Sequence, residues 1–494
     1  MKRWWLGILL LVAWGVPVGA QTPIIPATDQ VLVWVKPQDT PGGQLVLFTE
    51  TEATVILQTP SSARRVLPCG VGTSPNGQYF AFYVGDDNRG TLFLMSGTSS
   101  ELVNVYEGLS AVSCVGRNLQ FSGDSTLMGF LVFGDTVGSD PSPRGRLFVY
   151  NIEDGALALN QENVTNFNMT QSGAVWVNFF LGRLNRAVEM AVQVWDGTTS
   201  REVSTLFADE ANDCYYTTAS IYALPNDRLT MTTGYKCGRG NNLRHQWQAY
   251  LIDIPTKGTT ELLRGDAGGP FFGTTRTTSV FALGDAMYFT AADGLDSNTG
   301  SVFATSLSTP AVLEIVPRYG LMPSVNVRRN HPLMVSPDGR FLAVVANDPN
   351  NNATLYIVDM GAPNLPPITI SAGTRGSVVE ELLFTPDSKK LFFVAGSASP
   401  NNNATFIVDL LTGTTERITR GRFGQGAISP DGDRVAIVNF GTLTDREPAY
   451  PTLTVLNLAD GGTSVLYVGA TLTSANRVTN LQTLSVLSWR RGET

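Results

Sequence analysis

Histidine is close to absent from this chain of 494 residues: only His245 and His331 occur, far apart, so there is no His-x-x-x-His metal helix. A Ser-His-Asp site would have to be built on one of those two. A Gly-x-Ser-x-Gly nucleophile elbow, a glycine-rich phosphate loop ending in Lys-Ser/Thr and a zinc-type cysteine cluster are missing as well. Hydrolysis and phosphoryl transfer therefore have no visible machinery. Charge is also scarce, at 15% of residues, and the balance of 34 Lys+Arg against 42 Asp+Glu leaves a net charge of −8. No basic stripe exists to neutralise a phosphate backbone, which argues against nucleic acid as a partner. Arg64-Arg65 and Arg328-Arg329 are local exceptions, each able to hold one anionic group.

Beyond the first twenty residues no apolar run is long enough to span a bilayer. Those first residues read as an export signal: Lys2 and Arg3, an apolar stretch from Trp4 to about Val16, then the small-residue site Val18-Gly19-Ala20. Cleavage near Ala20 leaves a mature chain from Gln21, placed in the periplasm or outside the cell, and the competing reading is an uncleaved anchor. Cysteine is limited to four residues, and in an exported chain these invite disulfides. Cys214 and Cys237 flank a turn at Leu224-Pro225-Asn226-Asp227, and a two-residue loop at Pro225-Asn226 places them directly opposite each other. Cys69 and Cys114 remain, either bonded to each other or as two buried thiols.

What the sequence does have is glycine (49 residues), many Ser, Thr and Asn, and a motif that returns. Ser74-Pro75-Asn76-Gly77, Ser336-Pro337-Asp338-Gly339, Thr385-Pro386-Asp387-Ser388 and Ser429-Pro430-Asp431-Gly432 each precede a short apolar strand such as Phe341-Leu342-Ala343-Val344. Proline sets the second turn position, Asp bonds its own backbone and Gly accepts positive φ. A third strand ends in Asp or Asn, as in Phe406-Ile407-Val408-Asp409 and Thr454-Val455-Leu456-Asn457. Degenerate turns stand at Ser122-Gly123-Asp124, Pro225-Asn226-Asp227 and Leu283-Gly284-Asp285. Another unit is required between Val164 and Trp195, with its turn at Gln171-Ser172-Gly173 or Leu181-Gly182-Arg183. Markers about 44 to 60 residues apart fit four-stranded antiparallel blades. The strands at 30–35, 44–48 and 54–57 lack an inner strand, and Thr483–Trp489 is an inner strand without successors. Joining the two closes a ring. The expectation is an all-β chain forming one β-propeller over residues 21–494, of about eight blades with seven to nine open, and a monomer.

The Ser-Pro-Asp-Gly turns resemble those of the bacterial WD-repeat-like propellers whose blades are similar to the propeller part of TolB. The resemblance covers nearly the whole mature chain and is clearest over residues 330–440. It implies a repeat scaffold. The reading expects no counterpart of the α/β domain that precedes the propeller in TolB, and no hydrolase domain of the kind that follows it in prolyl-oligopeptidase-type peptidases.

Two groups of residues are candidates for ligand contact. Arg328, Arg329, Asn330 and His331 precede an inner strand, where two guanidiniums and an imidazole can grip a carboxylate or phosphate. Polar loops between second and third strands form the other group. They include Asn350 and Asn402, suited to a glycan or peptide, and Asp293, Asp296 and Asn298, which offer hard oxygens to Ca²⁺ without matching the twelve-residue calcium loop. No other cofactor is expected. Both groups also suit plain solvated loops. Arg264-Gly265-Asp266 is a tripeptide short enough to arise by chance. The function expected is a non-enzymatic exported scaffold at the cell envelope that binds a protein, peptide or envelope glycan. The alternative is a lactonase- or lyase-like enzyme with a metal or anion in the central funnel.

Overall fold

The computed structural model describes residues 24–37, 42–58, 67–85, 90–96, 102–109, 119–133, 145–182, 186–224, 227–238, 244–266, 280–283, 285–292, 300–308, 312–319, 333–347, 353–362, 364–371, 377–397, 403–421, 423–440, 450–472, 478–479 and 481–491. Alternate residues of a strand point to opposite faces of its sheet. Here both faces are buried. On the strand Phe341–Asn347, Phe341, Ala343 and Val345 pack against Val379, Leu391 and Phe393 of the following sheet. Leu342 and Val344 pack against Tyr288, Val302 and Val316 of the preceding one. A strand enclosed in this way must be apolar at every position, which is why these segments read as unbroken hydrophobic runs.

Six four-stranded antiparallel sheets stand alone, and an eleven-stranded sheet resolves into three more. The long strand Ala156–Met169 explains the fusion. It pairs as an outer strand with Gly145–Asn151 up to Val164, then as an inner strand with Ala174–Leu181. Asn163, with φ of 61°, stands at the change of partner. Nine blades result among the described residues, at the upper end of the expected range. In chain order blade 1 combines residues 29–58 with 482–491, and blades 2 to 9 span 67–109, 119–163, 164–207, 215–266, 280–319, 333–371, 377–420 and 423–468. The turn of blade 4 falls at Gln171-Ser172-Gly173, where Thr170 N–H bonds the Gly173 carbonyl.

Nine buried apolar clusters occupy the nine junctions between neighbouring blades. The last joins Val438, Leu453 and Val455 of blade 9 to Val31, Val33 and Val486 of blade 1, so the ring is closed. Each fully buried Val, Leu or Phe contributes about 1.5–3 kcal/mol. Outer edges are protected differently. In eight blades the pairing of third and fourth strands carries a register shift, and blade 7, the exception, ends in the four-residue strand Ile368–Ser371. Bulges and short edges both discourage pairing with another chain.

The hairpin of blade 5 corrects one expectation and keeps its result. Leu224 pairs with Arg228, so the loop has three residues rather than two, with Pro225 and Asn226 outside the described residues. An irregularity between Tyr216 and Thr218 shifts the register back, Tyr215 faces Lys236, and Cys214 is bonded to Cys237 with Cα atoms 4.0 Å apart.

Closure depends on the pairing of Asp29–Pro37 with Gln482–Arg491. Asp29 is buried, which pushes its carboxyl up, while the Trp489 indole N–H, donated at 2.9 Å, and the Arg491 charge oppose that rise. Arg490 is buried as well and is pushed down to about 10 by that burial. Its guanidinium donates to Gln30 Oε1 at 2.7 Å within blade 1 and to the Ser96 carbonyl at 2.9 Å in blade 2. Asp29→Ala strands the indole N–H in the interior and is expected to cost about 1–3 kcal/mol. Urea denaturation of this variant beside Asp29→Asn, which keeps an acceptor, provides the check: the Asn variant should lose less.

Candidate functional site

Strand alternation gives the ring two distinct faces. One carries the turns between first and second strands and between third and fourth strands, and most of it is described. In each turn of the repeated type a Ser or Thr hydroxyl accepts the backbone N–H five residues on, as Ser336 does from Phe341 at 2.9 Å and Thr385 from Lys390 at 3.0 Å. The same hydroxyl donates to the carboxylate two residues on, Ser336 to Asp338 and Thr385 to Asp387. That carboxylate then accepts a second backbone N–H, from Arg340 or Lys389. Ser122-Asp124 and Ser429-Asp431 repeat the arrangement. Burial works against the charge of Asp124, Asp338 and Asp431, but these hydrogen bonds outweigh it and hold all three carboxyls below their ordinary value; for Asp387 the Thr385 hydroxyl leads.

The fourth turn position explains an apparent lapse in the repeat. Gly339 and Gly432 occupy it with φ of 76° and 80°, whereas Ser125 and Ser388 hold positive φ despite their side chains. Each serine hydroxyl accepts a backbone N–H from the turn of the preceding blade: Ser388 from Asp338 at 3.0 Å, Ser125 from Asn76 at 3.1 Å. The substitution is a staple between blades. Third strands are tied to the same turns, since the residue after each terminal Asp or Asn donates its N–H to a turn carbonyl: Met360 to Arg340, Leu410 to Lys389, Leu458 to Asp433.

At the centre, inner strands of blades 3, 4 and 5 are laced by amide side chains. Gln120 accepts from Asn168 Nδ2 and from the Met169 N–H, both at 3.1 Å, and donates to the Phe167 carbonyl. Asn166 and Asn168 accept the N–H groups of Ile221 and Ala223 at 3.3 and 3.2 Å. An inner strand is a sheet edge, and these amides satisfy donors that have no strand partner. Sequence reasoning missed them, although Asn166 and Asn168 stand two apart and so share one side of a strand.

The opposite face carries the connections between second and third strands and from one blade to the next. The strand ends that lead into the candidate loops, Ala292, Asn347 and Ser397, and those that lead out, Gly300, Ala353 and Ala404, all belong to it. Arg328, Arg329, Asn330, His331, Asn350, Asn402, Asp293, Asp296, Asn298 and Cys114 lie outside the described residues. Cys69 is on the inner strand of blade 2. Among the described residues no group of three His, Cys, Asp or Glu gathers as a metal site. One blade-to-blade connection on this face is described in full, from Ala208 to Cys214. Asp209 receives the hydroxyl-directed end of its anchoring, its N–H donating to Tyr235 Oη at 2.8 Å, and its side chain caps the short 3-10 turn Glu210–Asn212. The Cys214–Cys237 bond secures the far end. Arg264 is in an outer strand, paired with Glu261 at 2.7 Å.

The ring is similar to solved propellers. A eukaryotic initiation factor matches over 93% of this chain and 98% of its own, at 14% identity with a TM-score of 0.52. The Dos1 propeller matches over 74% of this chain and 88% of its own, at 14% identity and 0.44, and TolB from Acinetobacter baumannii over 75% and 86%, at 14% and 0.26. No protein-family model and no curated protein matches the sequence. The likeness to the initiation factor is one of fold alone.

Two outcomes follow for the turn face. Ser388→Ala loses the bond and keeps the strained φ, costing about 1–2 kcal/mol, whereas Ser388→Gly relieves the strain and should cost less; thermal denaturation of both variants tests the order. A carboxyl held below 3.8 in the folded chain supplies stability that is complete above that value and lost as pH falls through its folded value. The urea midpoint should therefore fall below about pH 4, and fall less steeply in Asp338→Asn. Asp29, raised by burial, titrates in the opposite sense.

Proposed function

We propose that this chain is an exported propeller of the WD-repeat-like, TolB-like kind, whose connection face binds a protein, peptide or envelope glycan. One observation carries the reading: the Ser, Thr and Asp side chains of the repeated turns are hydrogen-bonded within the turns themselves, so recognition is better assigned to the opposite face, which gathers the connections. A rigid ring that presents several loops on one side is suited to recognition over a broad surface. The Cys214–Cys237 bond supports a destination outside the reducing cytoplasm. Asn350, Asn402 and the Arg328–His331 segment are then the contact residues to vary first.

The test uses the mature chain as bait for detergent-solubilised envelope and for an array of envelope glycans. Replacing Asn350 and Asn402 by Ala, together with Arg328→Ala, should reduce retention at least tenfold, and Leu411→Ser, an exposed change on the turn face, should not. Retention of nothing by the wild type overturns the proposal, as does stoichiometric metal in the secreted protein together with lactone turnover.

A further inference from the structure

On blade 4 three side chains from three adjacent strands form one row. Phe180 pairs with Glu189, and Glu189 pairs with Phe207, so all three project from the same side of the sheet. Trp176 and Trp195 on that side pack in the junction with blade 3, which identifies it as the flank facing blade 3. The strands carrying Phe180 and Phe207 both end at the connection face, and there the row is uncovered: Phe207 is 70% exposed and Phe180 42% exposed.

The row has a definite chemistry. Glu189 makes no ion pair among the described residues, so a carboxylate stands between two exposed aromatic rings without a counter-ion. One step further into the sheet, Asn178 lies beside Ala191 on the same side. Asn178 is 7% exposed and its Oδ1 has no hydrogen-bond partner. The Glu189 carboxylate calls for a donor bearing positive charge, and the Asn178 carbonyl oxygen accepts from any donor. Residues 205–207 of the outer strand pair regularly on their inner side and, among the described residues, have no strand on the other, whereas Ser204 is buried and bonded to Thr259 of blade 5. A strand added there would set one residue beside Phe207 in the same row. Its Cα would be about 10 Å from that of Glu189, two strand spacings away, a distance that a Lys or Arg and a Glu close together by reaching across a ring.

We infer that the rim of blade 4 is a docking site for an extended peptide segment of a partner protein, added to the edge at residues 205–207, with a Lys or Arg lying over Phe207 and paired with Glu189. The inference rests on the proposed role of the connection face and names the partner class that one part of it takes. Fluorescence anisotropy of the mature chain with labelled decapeptides tests it. The peptides alternate apolar residues with a single central Lys, and a matched set has Gln in its place. At low salt the Lys peptides should bind at least tenfold more tightly, with the preference shrinking as ionic strength rises. Glu189→Gln should bring the two sets within twofold of each other, and Phe207→Ser, at an exposed position, should weaken both. Equal binding of Lys and Gln peptides by the wild type, or a preference that survives Glu189→Gln, overturns the inference. If an envelope partner is retained by the wild type and equally by Glu189→Gln, this site falls while the broader reading stands. Absence of any envelope partner removes the broader reading, and the peptide preference is still read separately.

Discussion

Every blade of this ring is stable because its two neighbours cover it. A single four-stranded sheet with apolar side chains on both faces cannot persist in water, and neither could an open stack, whose two outermost blades would each expose one such face. Circular closure removes that problem, and the pairing of Asp29–Pro37 with Gln482–Arg491 is the contact that completes it. The nine junctions are interdependent in this sense: each is one of two supports for the blade on either side. The buried Asp29, Trp489 and Arg490 at the closing blade reflect the same constraint, because a seam between distant parts of the chain needs directional bonds to fix its register.

Much of this is legible in the sequence. The Ser-Pro-Asp-Gly turns marked blades 2, 7, 8 and 9 because their geometry depends on side chains whose chemistry is local. The ends paired as expected because period and hydrophobicity of residues 30–35 and 483–489 leave each half incomplete. The count was harder to read. Blade 4 has no Ser-Pro turn and shares a strand with blade 3, so the usual interval of turn, loop and strand is absent where the eye looks for it. The disulfide was found from a loop one residue too short, corrected by an irregularity at Thr217 that nothing in the local sequence announces. Gln120, Asn166 and Asn168 escaped notice because their partners belong to other blades, and such contacts have no signature along the chain.

The two faces differ in how far their residues are interchangeable. On the turn face nearly every hydroxyl and carboxylate of the motif serves geometry, and the serine at position 388 shows that even a departure from the repeat is explained by a neighbouring blade. The one connection described in full on the opposite face, Ala208–Cys214, is held instead by the Tyr235 hydroxyl and a disulfide. Blade 4 is where the two regimes meet within described residues: a regular sheet below, and above it an aromatic and acidic row that contributes nothing evident to packing.

The strand Ala156–Met169 has a consequence for how the ring can be divided. Elsewhere among the described residues the rim strand of one blade and the hub strand of the next are separate elements, so a border can be cut within a connection. Blades 3 and 4 have no such break between them, and a cut there leaves one sheet without its rim or the other without its hub. The two therefore form a single welded piece of sheet.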